Sequence, residues 1–286
     1  MIPAIGIASG LGGRTSHAGA GPLFLQKELK IDLSWHTLIQ PKIDKTQDLY
    51  ETIAALNQKL AQAAFHMTLK EPFFLAFGGD HSSAIGTWSG VSFAKKEEGD
   101  IGLLWIDAHM DSHTPQTSES GYIHGMPLAA LLGYGDPRLT QILHPAAKLK
   151  PRNVALIGIR SFESGEAELL KNLGIRVYFM EEVKKRGLDV VVQEAHALIS
   201  QETIGYGVSF DLDSIDPQWI PAVGTPVPNG IDPEEMIAAF SFFEHAAPLA
   251  FELVEYNPFL DGDWRTLEFI RKVIKTIERT VFACSV

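Results

Sequence analysis

The sequence predicts an α/β fold, a three-layer α/β/α sandwich around a mostly parallel, roughly eight-stranded sheet. Apolar runs of strand length alternate with stretches of helical periodicity along most of the chain. That repeat implies right-handed crossovers and a sheet with helices on both faces. The clearest strand, IGLLWI at Ile101–Ile106, is apolar throughout, as a strand buried on both faces must be.

In chain order, AIGIA at Ala4–Ala8 opens the sheet, and a helical stretch follows near Pro22–Leu29. Trp35–Gln40 is the second strand, leading into the long periodic stretch Gln47–Leu69. Phe73–Phe77 precedes a helix at Ser82–Ala94, and Ile101–Ile106 precedes one at Met126–Leu132. Val154–Ile159 feeds Glu163–Leu173, and Arg176–Phe179 feeds Asp189–Ser200. Gly207–Phe210 and Leu249–Val254 complete the strands, with helices at Pro233–Phe243 and Asp263–Ala283. No Pro/Ser-rich linker, charge block or repeat divides the chain, so residues 1–286 are expected to form a single domain.

Composition narrows the function classes. A formal net charge of −11 argues against nucleic acid or an anionic membrane as partner and is compatible with a cationic substrate. The N-terminus has no basic region before its short, glycine-broken apolar run, so no signal peptide is expected, and no stretch reaches transmembrane length. The only cysteine, Cys284, rules out an intramolecular disulfide or a thiolate cage and suits a reducing, cytoplasmic setting. It is expected to be a small buried apolar residue near the end of the last helix.

Chemistry collects where strands end. After Ile106 the chain places Asp107, His109 and Asp111 at alternate positions, which an extended segment would project to one side. FFLAFGGDHS ends its strand with Asp80 and His81, and YGVSFDLDSIDP ends with Asp211 and Asp213. Each motif follows its strand, on the side where open α/β sheets bind ligands. A single DxHxD could merely cap a helix. Three strand ends presenting Asp and His are a two-metal pattern. The expected ligands are His81, Asp107, His109, Asp111, Asp211 and Asp213, with room for Asp107 and Asp211 to bridge. Oxygen and imidazole donors favour two manganese ions per chain, with iron, cobalt or zinc as alternatives. Four aspartates against two divalent cations make a formally neutral core. Two metals about 3.5 Å apart can share a water and bring it toward hydroxide at neutral pH, so the implied reaction is metal-assisted hydrolysis. His124 is the candidate proton donor to the leaving group. LVEYNP carries Glu255 past the last strand, beside the other motifs, with Glu252 three residues earlier on the other face.

Two glycine-rich loops remain. Gly10–Gly21 lacks the GK[ST] of a phosphate-binding loop and the acidic residue of a dinucleotide fold, so it is expected to be a mobile rim with Arg14 and His17 at the surface. Gly224–Gly230 is expected to shape the site wall, with Thr225 toward substrate.

Together GGDHS, DAHMD and SFDLDSIDP resemble the signatures of the ureohydrolases (arginases, agmatinases and formiminoglutamases), and the likeness runs nearly end to end. Bacterial-type arginases resemble it most. The resemblance implies an arginase-like fold and a dimanganese centre. One metal would be held by His81, Asp107, Asp111 and Asp211, the other by Asp107, His109, Asp211 and Asp213. His124 would shuttle the proton, Asp111 would take part in catalysis, and Glu255 would pair with the guanidinium through a bidentate fork. The implied activity is cleavage of L-arginine to urea and L-ornithine in a homo-oligomer, trimer or hexamer. The segment after DAHMD, SHTPQTSESGYIHGMP, resembles the one in which arginases hold the amino-acid carboxylate, with Ser118 and Ser120 at hydroxyl positions. Glu163 falls where they place an acid for the α-amino group. Two residues depart from the pattern: His113 and Tyr122 stand where the better-studied arginases have Asn. Agmatinase or another guanidino-acid or formimino amidinohydrolase is the alternative within this chemistry. A non-catalytic paralogue and a deacetylase of the same fold are the remote ones, and the full ligand set speaks against both.

Overall fold

The computed structural model describes residues 1–42 and 48–282. Cys284, the expected start of the second helix at Gln47 and the expected end of the last at Ala283 lie outside the described residues. The strands are β1 (Ile2–Ile7), β2 (Leu33–Ile39), β3 (Phe74–Phe77), β4 (Gly102–Ile106), β5 (Val154–Ile159), β6 (Arg176–Phe179), β7 (Tyr206–Asp211) and β8 (Ala250–Val254). They form one eight-stranded sheet in the order β2-β1-β3-β8-β7-β4-β5-β6, every pair parallel. The helices are α1 (Gly21–Glu28), α2 (Leu49–Lys70), α3 (Ala84–Lys95), α4 (Pro127–Leu131), α5 (Pro137–Thr140), α6 (Ser164–Asn172), α7 (Met180–Arg186), α8 (Leu188–Ile199), α9 (Pro233–Ala239) and α10 (Arg265–Phe282).

The expected architecture is the observed one. β4, β5, β7 and β8 are buried along their whole length, which explains why β4 and β5 are apolar throughout and why β7 and β8 are mostly so. One core face gathers Leu104, Ile106, Phe210 and Phe251 with α8 and α10; the other gathers Trp105, Leu103 and Phe74 with α2 and α3. In α10, Leu267, Ile270, Val273, Ile274 and Ile277 are fully covered, each contributing about 1.5–3 kcal/mol of burial. The short helices α5 and α7 were not expected. α7 has a helix's charge pattern, Glu181 and Glu182 in its first turn and Lys184, Lys185 and Arg186 in its last, which suits the helix dipole but gives little periodicity in seven residues.

The strand order carries the functional consequence. β3, β8, β7 and β4 are consecutive neighbours at the middle of the sheet. The three acidic segments and the Glu255 segment therefore leave the sheet side by side, though they are far apart in sequence.

Candidate metal centre and pocket

The segment after β4 is not extended, as the sequence reading assumed. The strand stops at Ile106, and Asp111 takes a left-handed backbone (φ 46°). The convergence of Asp107, His109 and Asp111 comes from a folded turn whose amides are tied down. Asp107 Oδ1 accepts from the His109 N–H at 2.7 Å, and Asp213 Oδ1 from the Ala108 N–H at 3.3 Å. Asp211 Oδ1 accepts from the Asp213 N–H at 2.8 Å. Glu255 is also left-handed (φ 67°), which turns it inward past β8.

All six expected ligands lie together. His81, Asp107, Asp111 and Asp211 form one group and Asp107, His109 and Asp213 a second, with Asp107 common to both. Asp211 belongs to the first group alone in this arrangement. His81 Nδ1 sits 3.1 Å from Asp107 Oδ2, 3.0 Å from Asp111 Oδ2 and 3.1 Å from Asp211 Oδ2. It makes no hydrogen bond to any of them. One ring nitrogen equidistant from three carboxylates and bonded to none has the geometry of a lone pair aimed at a shared cation, so the donor set fits a metal. His109 Nδ1 is 3.1 Å from Asp213 Oδ2 and 3.5 Å from Asp107 Oδ1.

The electrostatics are those of an uncompensated anionic cluster. Burial raises the Asp211 carboxyl well above its ordinary value, and Asp213 and Asp107 add to the rise. Burial, with the charge of Asp107, pushes Asp111 up to about 7. Asp107 goes the other way: burial opposes ionisation, but His109 and His81 outweigh it and lower the group. Burial would depress both imidazoles, yet the surrounding carboxylates raise His81 and His109 well above the usual histidine value. A cluster that must borrow protons to neutralise itself is one that divalent cations would stabilise.

Beside it, His124 Nδ1 pairs with Glu255 Oε1 at 3.1 Å. The same oxygen accepts from the His81 N–H at 2.9 Å. Burial opposes the His124 charge, but Glu255 overcomes it and lifts the ring to about 9. Glu255 is lowered despite its burial, mainly by His124.

A pocket of about 160 Å³ rises from this floor, lined by Asp111, Asp211, Asp213 and His124 below and by Ser118, Ser120 and Glu163 toward the mouth. Thr225 lines it too, and its hydroxyl donates to Asp213 Oδ2 at 2.9 Å. At the rim, His113 Nε2 is 3.0 Å from Glu163 Oε2, and its Nδ1 is 3.2 Å from Thr117 Oγ1. Ser118 Oγ accepts from the Gly121 N–H at 3.0 Å and Ser120 Oγ from the Tyr122 N–H at 3.3 Å. The first glycine loop is a wall of the site: the Gly12 N–H donates to Asp80, and the His124 N–H to the Gly12 carbonyl. Its Arg14 and His17 are exposed, as expected.

Three contributors escaped the sequence reading. The Trp105 indole donates to Asp107 Oδ2 at 2.9 Å, and its ring stacks on His81 at 4.1 Å. Ser209 Oγ lies 3.0 Å from His81 Nε2. Glu166 Oε1 accepts from the Glu163 N–H at 2.9 Å and fixes that rim segment. Trp105 and Ser209 each precede a ligand by two positions on a strand. That shared facing was the signal available.

A sequence model of the Arginase family matches residues 17–277. The arginase of Bacillus caldovelox is 44% identical over 212 residues, covering 74% of this chain and 70% of that protein. The arginase of Bacillus subtilis is 40% identical over 238 residues, 82% of this chain and 79% of that one. The crystal structure of arginase from Bacillus cereus superimposes with a TM-score of 0.88 at 34% identity, covering 96% of this chain and 97% of that chain.

Proposed function

Because this chain belongs to the arginase family and is therefore a ureohydrolase, we propose that it hydrolyses the guanidinium group of L-arginine to urea and L-ornithine. The observation that carries the reading is His81 Nδ1, unbonded among three carboxylates, on a cluster joined by Asp107 to a second ligand group. In this reading His81, Asp107, Asp111 and Asp211 hold one cation and Asp107, His109, Asp211 and Asp213 the other, with manganese as the metal. When bound, two such cations supply the Lewis acidity that makes water nucleophilic near neutral pH.

The protein's own groups do the rest. Glu255 Oε1 is occupied by His81 and His124, while Oε2 has no hydrogen bond among the described residues and can receive the guanidinium. Glu255 at His124 Nδ1 favours the imidazolium over the neutral ring. The imidazolium can give a proton to the departing ornithine amine as the C–N bond breaks, while water supplies the oxygen of urea. Ser118 and Ser120 each have their acceptor side turned to a backbone N–H, and a substrate carboxylate can take a hydroxyl hydrogen from the pair in place of the long 3.5 Å contact between them. Glu163 stands ready for an α-ammonium group, and Asp111, Thr225 and His113 complete the contacts. The chain acts as a single domain, in the cytoplasm, as a homo-oligomer; a trimer or hexamer is the family's habit. Among the described residues, no helix is long and apolar enough to cross a membrane.

Urea release by manganese-loaded protein, with L-arginine and agmatine run side by side, tests the reading. Release from arginine is expected. Release from agmatine alone would overturn the roles of Ser118, Ser120 and Glu163, and release from neither would overturn the activity.

A further inference from the structure

Glu252, on β8, is fully buried and takes no part in the reaction just described. Its Oε1 accepts from the Thr87 hydroxyl at 2.7 Å and, more weakly, from Ser83 at 3.4 Å. Its Oε2 accepts from the Trp88 indole at 2.9 Å and from the Ser209 hydroxyl at 2.7 Å. β7 makes room for that indole with Gly207, where a Cβ would fall 2.0 Å from a Trp88 ring carbon.

The direction of these bonds is not arbitrary. An indole N–H can only donate, so Oε2 is an acceptor. The single proton of Ser209 is then committed to the same oxygen. What Ser209 Oγ turns toward His81 Nε2, 3.0 Å away, is a lone pair. Nε2 must therefore carry a hydrogen, and Nδ1 is left as the nitrogen able to coordinate. Nδ1 is the atom found unbonded among Asp107, Asp111 and Asp211.

We propose that Glu252 is a positioning residue that acts through Ser209 to fix the ring orientation and tautomer of His81, and so sets the affinity of one of the two cations. The inference rests on reading the acidic cluster as a two-cation site. It assigns Glu252 a role distinct from stitching α3 to β8, which its bonds to Thr87 and Trp88 also accomplish. Outer partners of metal-bound histidines commonly change metal affinity by about 10–100-fold when removed.

The test strips the full chain of metal and titrates it with Mn²⁺ against a competing chelator, with thermal melts of the metal-free proteins alongside. Ser209→Ala and Glu252→Leu should weaken one cation by about 10–100-fold and leave the other within roughly threefold. Glu252→Gln should retain both, because its amide oxygen can stand opposite the donor-only indole and still accept from Ser209. If Ser209→Ala binds both cations as the parent does, the proposal fails, and that variant decides alone should Glu252→Leu not fold. It also fails if Glu252→Leu lowers only the melting temperature, or if Glu252→Gln loses a cation as Glu252→Leu does. A parent chain that binds fewer than two cations would instead overturn the function proposed above.

Discussion

The floor and the mouth of the pocket are made of different materials. On the floor, Asp107, Asp211 and His81 hang from the ends of buried central strands and are at most 2% exposed. Their side chains are held by the Trp105 indole, the Ser209 hydroxyl and the backbone N–H groups of His109 and Asp213. At the mouth, Ser118 and Ser120 sit on an exposed loop, and Glu163 is the N-cap of α6 with 56% of its side chain open to solvent. Chemistry that needs fixed geometry is rooted in the sheet, while selection among substrates is left to loops. Mutations should therefore separate turnover from substrate binding.

The largest effect is expected on the floor. Asp211→Ala removes a carboxylate 3.1 Å from His81 Nδ1. It should cost one cation per chain, read by metal analysis, and lower turnover by about 10⁴-fold or more, equivalent to some 5 kcal/mol of barrier. An unchanged metal count would remove Asp211 from the ligand set.

His124→Ala comes next and should keep both cations. Turnover should fall by about 10²–10³-fold, the usual worth of a positioned proton donor. The same pair predicts a pH dependence of stability in the metal-free chain. Glu255 raises His124 from 6.5 to about 9. A raised histidine stabilises fully below its unfolded value and loses that contribution as pH rises through its folded value. Metal-free parent and His124→Asn should differ most in melting temperature at pH 6 and converge near pH 10. A gap that widened with pH would contradict the pairing.

At the mouth, His113→Asn restores the residue of better-studied arginases and removes the 3.0 Å contact to Glu163. With Glu163 no longer held, KM for L-arginine should rise by about tenfold, near 1.4 kcal/mol, while kcat and metal content hold. A fall in kcat alone would mean that His113 acts through its neighbour Asp111.

The same contrast explains what the sequence made legible. Acidic and imidazole residues placed just past buried strands, in GGDHS, LLWIDAHMD and GVSFDLD, made the six candidate ligands legible, although the alternation expected after Ile106 gives way to a folded turn. The folded turn at Asp111 could not, because it depends on bonds reached only in three dimensions, the Leu128 N–H to the Asp111 carbonyl and the His113 N–H to the Gly125 carbonyl. Nor could the His113–Glu163 contact, which joins positions fifty residues apart across two loops. Glu252 shows the limit within a strand: its placement on the other face from Glu255 was readable, but its path to His81 runs through β7. The neighbour order β3–β8–β7, which makes that path, is a property of the whole sheet.

Ser118→Ala should give the smallest effect and sharpens the contrast most. Ser118 Oγ accepts from the Gly121 N–H and lies 3.5 Å from Ser120 Oγ. Removing it deletes one hydroxyl donor to the substrate carboxylate and also loosens the turn that presents Ser120. A hydrogen bond to a carboxylate, screened by solvent at an exposed mouth, is worth about 0.5–1.5 kcal/mol, so KM for L-arginine should rise by about three- to tenfold with kcat unchanged. Agmatine, which has no carboxylate, should be handled alike by parent and variant. Equal losses on both substrates would mean that Ser118 shapes the loop and does not read the carboxylate, and selection would then fall to Ser120 and Glu163.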